Sequence, residues 1–174
     1  DKIQTEEGGM LNFVGRGSGL TGRGADLLII DDPIKDREEA DSKNLRDKLW
    51  AWFTEAAMTR LMPGGRVVII MTRWHEDDLI GRLTDSSNPC YNAEEAKNWK
   101  VLALPAIAGE DDPMKRKPGE ALWPERFPIP SLEQIKRLNP TGFSALYQGA
   151  PTPEDGDFFR RDWLQTYDSP SAIP

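Results

Sequence analysis

The chain has 174 residues, which is enough for one domain with a sizeable hydrophobic core. Its net charge of −7 argues against a surface that binds nucleic acid through bulk positive charge, although a local basic stripe stays open. No apolar run approaches the roughly 20 residues of a membrane span, so we expect no membrane association. The single Cys90 excludes an internal disulfide and suits a reducing cytoplasm. Because the chain starts without a signal peptide or an initiator Met, we expect it to begin inside a longer gene product.

The first part of the chain predicts a hairpin and then a glycine-rich loop. In residues 1–14 the pair Gly8-Gly9 is typical of a turn between two strands. Residues 15–24 contain five glycines and form the loop. This loop lacks the Gly-Lys-[Ser/Thr] ending that holds phosphates in a P-loop, and it precedes a strand instead of following one. We therefore interpret it as a flexible loop that presents Arg16 and Arg23, either to a phosphoryl group or to solvent.

Two continuous apolar runs, at 27–30 and 67–71, end in polar side chains. Runs of this kind are typical of strands that are buried on both faces in a parallel sheet covered by helices. In open α/β sheets, ligands bind beyond the carboxyl ends of the strands. The sequence therefore predicts an α/β fold with its chemistry on the residues around these strand ends, which are Asp31, Asp32, Thr72 and Arg73.

The remaining elements are predicted from periodicity and punctuation. Apolar residues at helical spacing predict a long helix over 36–60, which Pro63-Gly64-Gly65 ends. A short helix at 77–83, a third strand at 99–104 and an irregular excursion at 109–130 follow. Ser131 and Gln134 form a capping box that predicts a helix ending before Pro140, followed by a further turn at 143–148. From Pro151 the composition is that of a linker or tail.

Two carboxylates directly after an apolar strand have a specific use in nucleotide hydrolysis. The first, Asp31, can hold a Mg²⁺ ion that bridges the β- and γ-phosphates. The second, Asp32, can orient or deprotonate the attacking water. Pro33 is consistent with a strand that stops at this point. Acid pairs at strand ends also serve as turn residues and helix caps, so this pattern alone leaves both interpretations open.

The segment Thr72–Asp78 carries further candidate groups. The hydroxyl of Thr72 can sense the γ-phosphate or hold the attacking water, and Arg73 can pair with Asp31, with Asp32 or with phosphate. One histidine with no cysteine nearby does not match the ligand set of a zinc site. We expect Asp77 and Asp78 to stabilise the positive N-terminus of the next helix.

Four blocks of sequence, in this order, resemble the large terminase subunit of tailed bacteriophages. They are Gly19-Leu-Thr-Gly-Arg-Gly-Ala-Asp-Leu-Leu-Ile-Ile-Asp-Asp-Pro33, Met71-Thr-Arg-Trp-His-Glu-Asp-Asp-Leu79, Leu104-Pro-Ala-Ile107 and Gly119-Glu-Ala-Leu-Trp-Pro-Glu-Arg-Phe127, and Tyr147-Gln148 follows them. The resemblance implies a part of an additional-strand P-loop ATPase that drives DNA into the procapsid, with ATP and Mg²⁺ as cofactors. It also implies that Asp31 is the Walker B ligand of Mg²⁺, that Thr72-Arg73-Trp74 is the coupling motif, and that Arg23, with Arg16 as the reserve, reaches the nucleotide. Asp32 stands where many relatives carry the catalytic Glu, so the resemblance implies a catalytic role for Asp32.

The resemblance also implies what the 174 residues do not carry. No Gly-Lys-[Ser/Thr] loop occurs in them, so the Walker A strand of the sheet and its lysine are missing. We therefore expect residues 1–150 to be the C-terminal part of the ATPase domain, and 151–174 to be a linker towards an RNase H-like nuclease domain. Alone, the chain should bind ATP poorly and hydrolyse none. The implied partners in the bacterial host cytoplasm are double-stranded DNA, the small terminase subunit and the portal protein.

A sheet without its Walker A strand has an open edge, so we also expect the isolated chain to self-associate. Two other classes of function stay open from the sequence. One is a metal-dependent nuclease that uses Asp31 and Asp32 with Asp77 or Asp78 to bind two metal ions. The other is a prophage remnant that folds without catalysing a reaction.

Overall fold

A computed structural model describes residues 2–15 and 24–152. Arg16, Arg23 and almost all of the predicted linker at 151–174 therefore lie outside the described residues. The chain divides into two compact units. The first is formed by the residues up to Thr72 together with Asp77–Asn98, and the second by Arg73–Glu76 together with the residues from Trp99 onward.

The fold of the described residues is mixed α/β, as the sequence predicts. Strands β1 (Lys2–Gln4) and β2 (Met10–Asn12) pair in antiparallel fashion, which confirms the predicted hairpin. Its turn places Gly8 at φ +87°, a conformation that glycine adopts without a steric penalty. Strands β3 (Ala25–Asp31) and β4 (Leu61–Ile70) pair in parallel, with Asp31 opposite Ile70. The predicted parallel pair is thus confirmed, with both strands longer than the apolar runs.

The prediction that both faces of this sheet are buried is wrong for the described residues. Ile30 is buried, and its neighbours Leu28, Val67 and Ile69 are half-buried. The side chains that alternate with them, listed here with their exposed fractions, are open to solvent: Leu27 53%, Ile29 56%, Val68 42% and Ile70 55%. A continuous apolar run indicates that both faces prefer burial, but the sequence of a run does not show which segment covers each face. We call this exposed set the open face.

The helix predicted over 36–60 is interrupted. Helix α1 (Arg37–Asp41) ends at Ser42, and α2 (Lys43–Ala51) continues into a π-helical segment (Trp52–Ala57) and a 3₁₀ turn (Met58–Arg60). The break occurs because Ser42 caps a new helix, with its Oγ accepting the backbone N–H of Leu45 at 3.4 Å. The apolar spacing nevertheless marks the buried stripe, since Leu49, Phe53 and Ala57 are all in the core.

The connection from the helical segment to β4 also differs from the prediction. The chain enters β4 directly at Leu61, so Pro63-Gly64-Gly65 lies inside the strand and does not end the helix. Gly64 has φ +81°, and the pairing register shifts here, because Ala25 lies opposite Leu61 whereas Leu27 lies opposite Arg66. This irregularity has the character of a β-bulge, which explains how a Pro-Gly-Gly stretch fits within a strand.

The first unit is completed by two short helices. Helix α3 (Leu79–Thr84) begins after Asp78, close to the predicted start, and buries Leu79 and Leu83. The polar stretch at 85–98 forms loops except for one helical turn, α4 (Ala93–Ala96), which begins after Asn92.

The second unit has a small core to which its two helices contribute. Helices α5 (Ile129–Leu138) and α6 (Pro140–Leu146) join a mostly irregular segment that includes one antiparallel bridge between Ile107 and Ala121. Ala121, Leu132 and Phe143 form the buried cluster. The irregular excursion predicted at 109–130 therefore contains few regular elements but contributes Ala121 to the core.

Two predictions in the second unit are wrong. Residues 99–104 form no strand, and Val101 and Leu102 are exposed by 61% and 73%. A strand requires a neighbouring strand for its backbone hydrogen bonds, and no described segment pairs with this one. Helix α5 begins at Ile129 and not at the predicted capping box, since the backbone N–H groups of Ser131 and Leu132 donate to the carbonyl of Pro128. In the described part of the chain, no helix is long and apolar enough to cross a bilayer.

Candidate functional site

The carboxyl ends of β3 and β4 bring three of the predicted site residues together. The backbone N–H of Asp32 donates to the carbonyl of Ile70 at 2.8 Å, which extends the strand ladder by one residue. Across the same edge, the backbone N–H of Thr72 donates to Oδ1 of Asp32 at 3.3 Å. Asp31, Asp32 and Thr72 therefore lie at one edge of the sheet because the two strands are parallel and in register.

Asp31 is the acid of the pair that no other described residue engages. It is exposed and ends β3 on the open face, since successive side chains of a strand alternate between faces and Ile29 is exposed on that side. No hydrogen bond or ion pair from another described residue engages its carboxylate. Mg²⁺ is usually bound by one or two carboxylates together with substrate phosphates and water, so a single unengaged carboxylate fits the metal of a bound nucleotide.

Asp32 is the engaged acid of the pair. Its φ of +44° places it in the left-handed region, which residues other than glycine rarely adopt and which Asp and Asn adopt most readily among them. This backbone turn ends the strand, and the carboxylate then accepts the Thr72 N–H from the neighbouring segment. The two adjacent acids therefore differ in orientation and in partners, a difference that no sequence pattern reveals.

The loop that carries the two acids is fixed on both sides. Ile30 before them is 5% exposed and Ile34 after them is 2% exposed, so each anchors the loop in the core. The next residues are tied into the start of α1. Oδ1 of Asp36 accepts the backbone N–H of Glu39 at 3.0 Å, and Oε2 of Glu39 accepts the backbone N–H of Lys35 at 2.9 Å.

Asp77, five residues beyond Thr72, is held by a network of two arginines. Arg82 donates from Nε to Oδ1 of Asp77 and from a terminal nitrogen to Oδ2, each at 2.7 Å. Arg46 donates from Nε to Oδ2 at 3.1 Å, and Asn88 donates to Oδ1 at 3.0 Å. Arg82 also reaches Asp47 at 2.7 Å, while Arg46 donates to the carbonyl of Ala40. This network links α1, α2 and α3 to one another and to Asp77.

The network shifts the ionisation of its members. Burial raises the pKa of the Asp77 carboxyl, but the hydrogen bonds from Arg82, Asn88 and Arg46 outweigh burial and hold the pKa far below its usual range. The hydrogen bond to Asp77 is the largest cause that raises the pKa of Arg82 above its usual value, against the opposing effect of burial. Asp77 is therefore ionised whenever the protein is folded near neutral pH.

The ionisation of Asp77 predicts an acid sensitivity of the first unit. Because the pKa of Asp77 is lower in the folded chain than in the unfolded chain, where it is about 3.9, the unfolded chain binds more protons at low pH. The stabilisation is thus fully present above about pH 4 and is lost as the pH falls below it. The free energy of unfolding, measured between pH 3 and 6, should fall towards acid and fall less steeply in Asp77→Asn. Equal slopes in the two proteins would contradict this assignment.

Asp77 and Asp78 both accept hydrogen bonds from other residues of the chain. Oδ1 of Asp78 caps α3 by accepting the backbone N–H of Gly81 at 2.8 Å, as expected for an acid at a helix N-terminus. Asp77 accepts hydrogen bonds from Arg82 and Arg46, and its expected effect on the helix N-terminus stays a prediction. Within residues 2–15 and 24–152, no group of three His, Cys, Asp or Glu side chains could hold a metal ion. The two-metal nuclease alternative, which requires Asp77 or Asp78 beside Asp31 and Asp32, therefore finds no support.

The remaining predicted residues cannot be placed at this edge. Arg73 is half-buried and belongs to the second unit, so its pairing with Asp31 or Asp32 stays a prediction. Arg16 and Arg23 fall outside the described residues. The sequence-based interpretation missed Arg46 and Arg82, because their common partner Asp77 lies 31 residues from Arg46 and no local pattern marks the pair.

The later blocks of the resemblance meet inside the second unit. The side-chain amide of Gln148 accepts the Ile107 N–H at 2.9 Å and donates to the Ile107 carbonyl at 3.0 Å, as a neighbouring strand would. The carbonyl of Tyr147 accepts the N–H of Ala106 at 2.7 Å, and the Tyr147 ring stacks on Phe143 with centroids 5.2 Å apart. These blocks therefore have a structural role in holding the 104–107 segment to the end of α6.

The class of protein follows from the comparison with known families. The family model described as terminase large subunit, T4likevirus-type, N-terminal, matches residues 1–166. Since this match covers nearly the whole chain, the chain belongs to the terminase large subunit family, and the matched region is the N-terminal one. Comparison with curated proteins gave no match. A terminase large subunit serves the packaging of phage DNA, so DNA and the packaging complex are its partners in general terms.

Proposed function

We propose that this chain is the C-terminal part of the ATPase domain within that N-terminal region, and that it couples ATP hydrolysis to DNA movement in the packaging motor. In this proposal, β3 is the Walker B strand of a partial additional-strand P-loop sheet, and the segment after β4 is the coupling motif. Residues 1–150 form the ATPase part, and 151–174 lead towards a nuclease domain. The more specific partners are double-stranded DNA, the small terminase subunit and the portal protein.

The observation that carries the proposal is the contrast between Asp31 and Asp32 at the ends of two parallel strands. An exposed carboxylate without a partner among the described residues ends one strand, and the backbone of Thr72, which follows the other strand, is hydrogen-bonded to the adjacent acid. A turn or cap role, which is the purely structural alternative for an acid pair, would engage Asp31 in a backbone hydrogen bond. Its free carboxylate instead favours a ligand that comes from outside the described residues.

Each residue has a distinct role in this proposal. Asp31 holds Mg²⁺, which when bound would neutralise charge on the β- and γ-phosphates. The hydroxyl of Thr72 orients the attacking water or senses the γ-phosphate, and Asp32 is the second acid of the site. Arg73 and Arg16 bind phosphate, and Arg23 stabilises the charge that develops on the transferred group. The phosphate-binding lysine comes from a Walker A loop outside these 174 residues.

The proposal is tested by joining the chain to such a loop. We call the product, a large-subunit polypeptide in which a Walker A segment precedes these 174 residues, the joined polypeptide. It should hydrolyse ATP in the presence of Mg²⁺, whereas the 174-residue chain should not. The control is a joined polypeptide whose Walker A lysine is replaced by alanine. Cleavage of DNA by the 174 residues with Mg²⁺ would favour the nuclease alternative, and a folded but inactive joined polypeptide would favour the non-catalytic remnant.

The open face leads to a second expected result, the self-association of the isolated chain. Each strand of the β3–β4 pair has one edge that no described strand covers, and four large apolar side chains are exposed beside these edges. Strand edges with apolar side chains associate, and lysine on a strand prevents this. Val68→Lys should therefore weaken self-association at least about tenfold in sedimentation velocity. Leu138→Lys is the matched control, because Leu138 is 80% exposed at the end of α5. A monomeric parent chain at high concentration would contradict the expectation.

A further inference from the structure

We propose that Asp32 is a positioning residue that holds Thr72 in place, and that it is not the general base of the hydrolysis. This inference rests on the proposed function and separates the roles of its two neighbouring acids. Two observations support it. The backbone of Asp32 is in the left-handed conformation, and its carboxylate accepts the backbone N–H of Thr72 across the sheet edge.

The backbone conformation of Asp32 indicates that the surrounding structure holds this residue in place. A residue other than glycine at positive φ is disfavoured by about 1–2 kcal/mol, and such residues persist where the surrounding structure holds them. Here the Asp32 N–H is bound to Ile70 at 2.8 Å, and Ile30 and Ile34 anchor the loop on either side. The strained turn directs the carboxylate along the strand edge towards Thr72, while Asp31 stays on the open face.

The reach of the side chain supports the same role. Aspartate has a single methylene between its backbone and its carboxylate, so an Oδ1 atom held at Thr72 fixes where the whole group lies. A general base must come within hydrogen-bond distance of the water that it deprotonates. If that water lies beside a metal at Asp31, the base must face the open face, whereas Asp32 is turned to the neighbouring strand. Its position suits an acceptor that fixes the backbone of Thr72, the second residue after β4, and thereby places the Thr72 hydroxyl.

The chemistry of substitution separates the two roles. Asparagine tolerates the left-handed region and keeps an Oδ1 acceptor, but it cannot take a proton. Glycine also tolerates this region but has no acceptor. Asp32→Asn and Asp32→Gly therefore form a matched pair that differs in the acceptor for Thr72. Asp32→Glu keeps the basicity but moves the carboxylate outward by one methylene.

The first measurement uses the 174-residue chain alone and requires no activity. Amide hydrogen exchange of Thr72 should be about fivefold faster in Asp32→Gly than in the parent chain and close to the parent rate in Asp32→Asn, as expected for one lost hydrogen bond. An exchange rate that is the same in all three proteins would overturn the positioning role. Since no ATP is involved, this result is independent of whether the proposed function holds.

The second measurement is the kcat of the joined polypeptide. A positioning role predicts that Asp32→Gly loses about tenfold in kcat and that Asp32→Asn restores most of this loss, to within about threefold of the parent. It also predicts that Asp32→Glu is more impaired than Asp32→Asn. Loss of about 10²–10⁴-fold in Asp32→Asn, with Asp32→Glu close to the parent, would identify a general base and overturn the inference. A parent protein without turnover would refute the proposed function, and amide exchange would still decide the position of Thr72.

Discussion

Replacing Asp31 by asparagine should reduce the Mg²⁺-dependent ATP turnover of the joined polypeptide by at least about 10³-fold. A bound metal contributes several kcal/mol of charge stabilisation during phosphoryl transfer, and each 1.36 kcal/mol corresponds to a factor of ten in rate. Asparagine has almost the same shape as aspartate but lacks the charge that holds the ion. The measurement is the steady-state ATPase rate over a range of Mg²⁺ concentrations.

The same substitution should leave the folded chain intact. The Asp31 carboxylate is exposed and engages no other described residue, so the free energy of unfolding should change by no more than about 0.5 kcal/mol. Asp26→Asn is the matched control, because Asp26 is an exposed acid at the second position of the same strand, five residues before Asp31. Turnover that survives Asp31→Asn, or that falls equally in Asp26→Asn, would exclude Asp31 as the metal ligand.

Replacing Arg82 by methionine should destabilise the first unit by about 3 kcal/mol. The Arg82 side chain is 4% exposed and donates to both Asp77 and Asp47. Removing one partner of a buried ion pair leaves the other charge poorly solvated, and such changes typically cost about 3–5 kcal/mol. Because Asp77 is 24% exposed and keeps Arg46 as a partner, we expect the lower end of this range. The measurement is urea-induced unfolding, followed by circular dichroism.

The chain offers a matched control for this prediction. Lys43 forms an ion pair with the same Asp47 at 2.7 Å, but its side chain is 76% exposed. Lys43→Met should therefore change the free energy of unfolding by no more than about 0.5 kcal/mol, as is usual for surface ion pairs. The double variant Asp77→Asn with Arg82→Met should lose less than the sum of the two single variants, since they remove the same interaction. A loss below 1 kcal/mol in Arg82→Met would contradict a stabilising role for the network.

The elements that could be predicted from the sequence are those in which local residue types determine the structure. The apolar runs predict β3 and β4, and the polar residues that follow them predict the sheet edge where Asp31, Asp32 and Thr72 meet. The Gly8-Gly9 turn predicts the hairpin in the same way. Such patterns describe what one segment prefers and are largely independent of its distant neighbours.

The elements that could not be predicted depend on which segments lie next to one another. An apolar run does not specify what covers each face, so the open face of β3–β4 was not foreseeable. Likewise, residues 99–104 have the composition of a strand but form none, because no described segment pairs with them. At Ser42, an extended backbone and a side-chain cap divide a helix whose apolar periodicity continues through the break.

The candidate site shows the same division between local and distant information. The identity of the two acids is visible in the sequence, but their different roles arise from the φ of +44° at Asp32 and from its hydrogen bond across 40 residues. The Asp77 network likewise joins residues that are up to 35 positions apart. A single sequence contains no signal for such pairings.

The most direct test of the central claim is the position of the metal in the joined polypeptide bound to a non-hydrolysable ATP analogue. Mn²⁺ in place of Mg²⁺ broadens the nuclear magnetic resonance signals of nearby backbone amides. We predict that the amide signals of Asp31, Asp32 and Thr72 broaden in the parent protein and sharpen again in Asp31→Asn. Bound nucleotide with Mn²⁺ that leaves these three signals sharp in the parent protein would contradict the account.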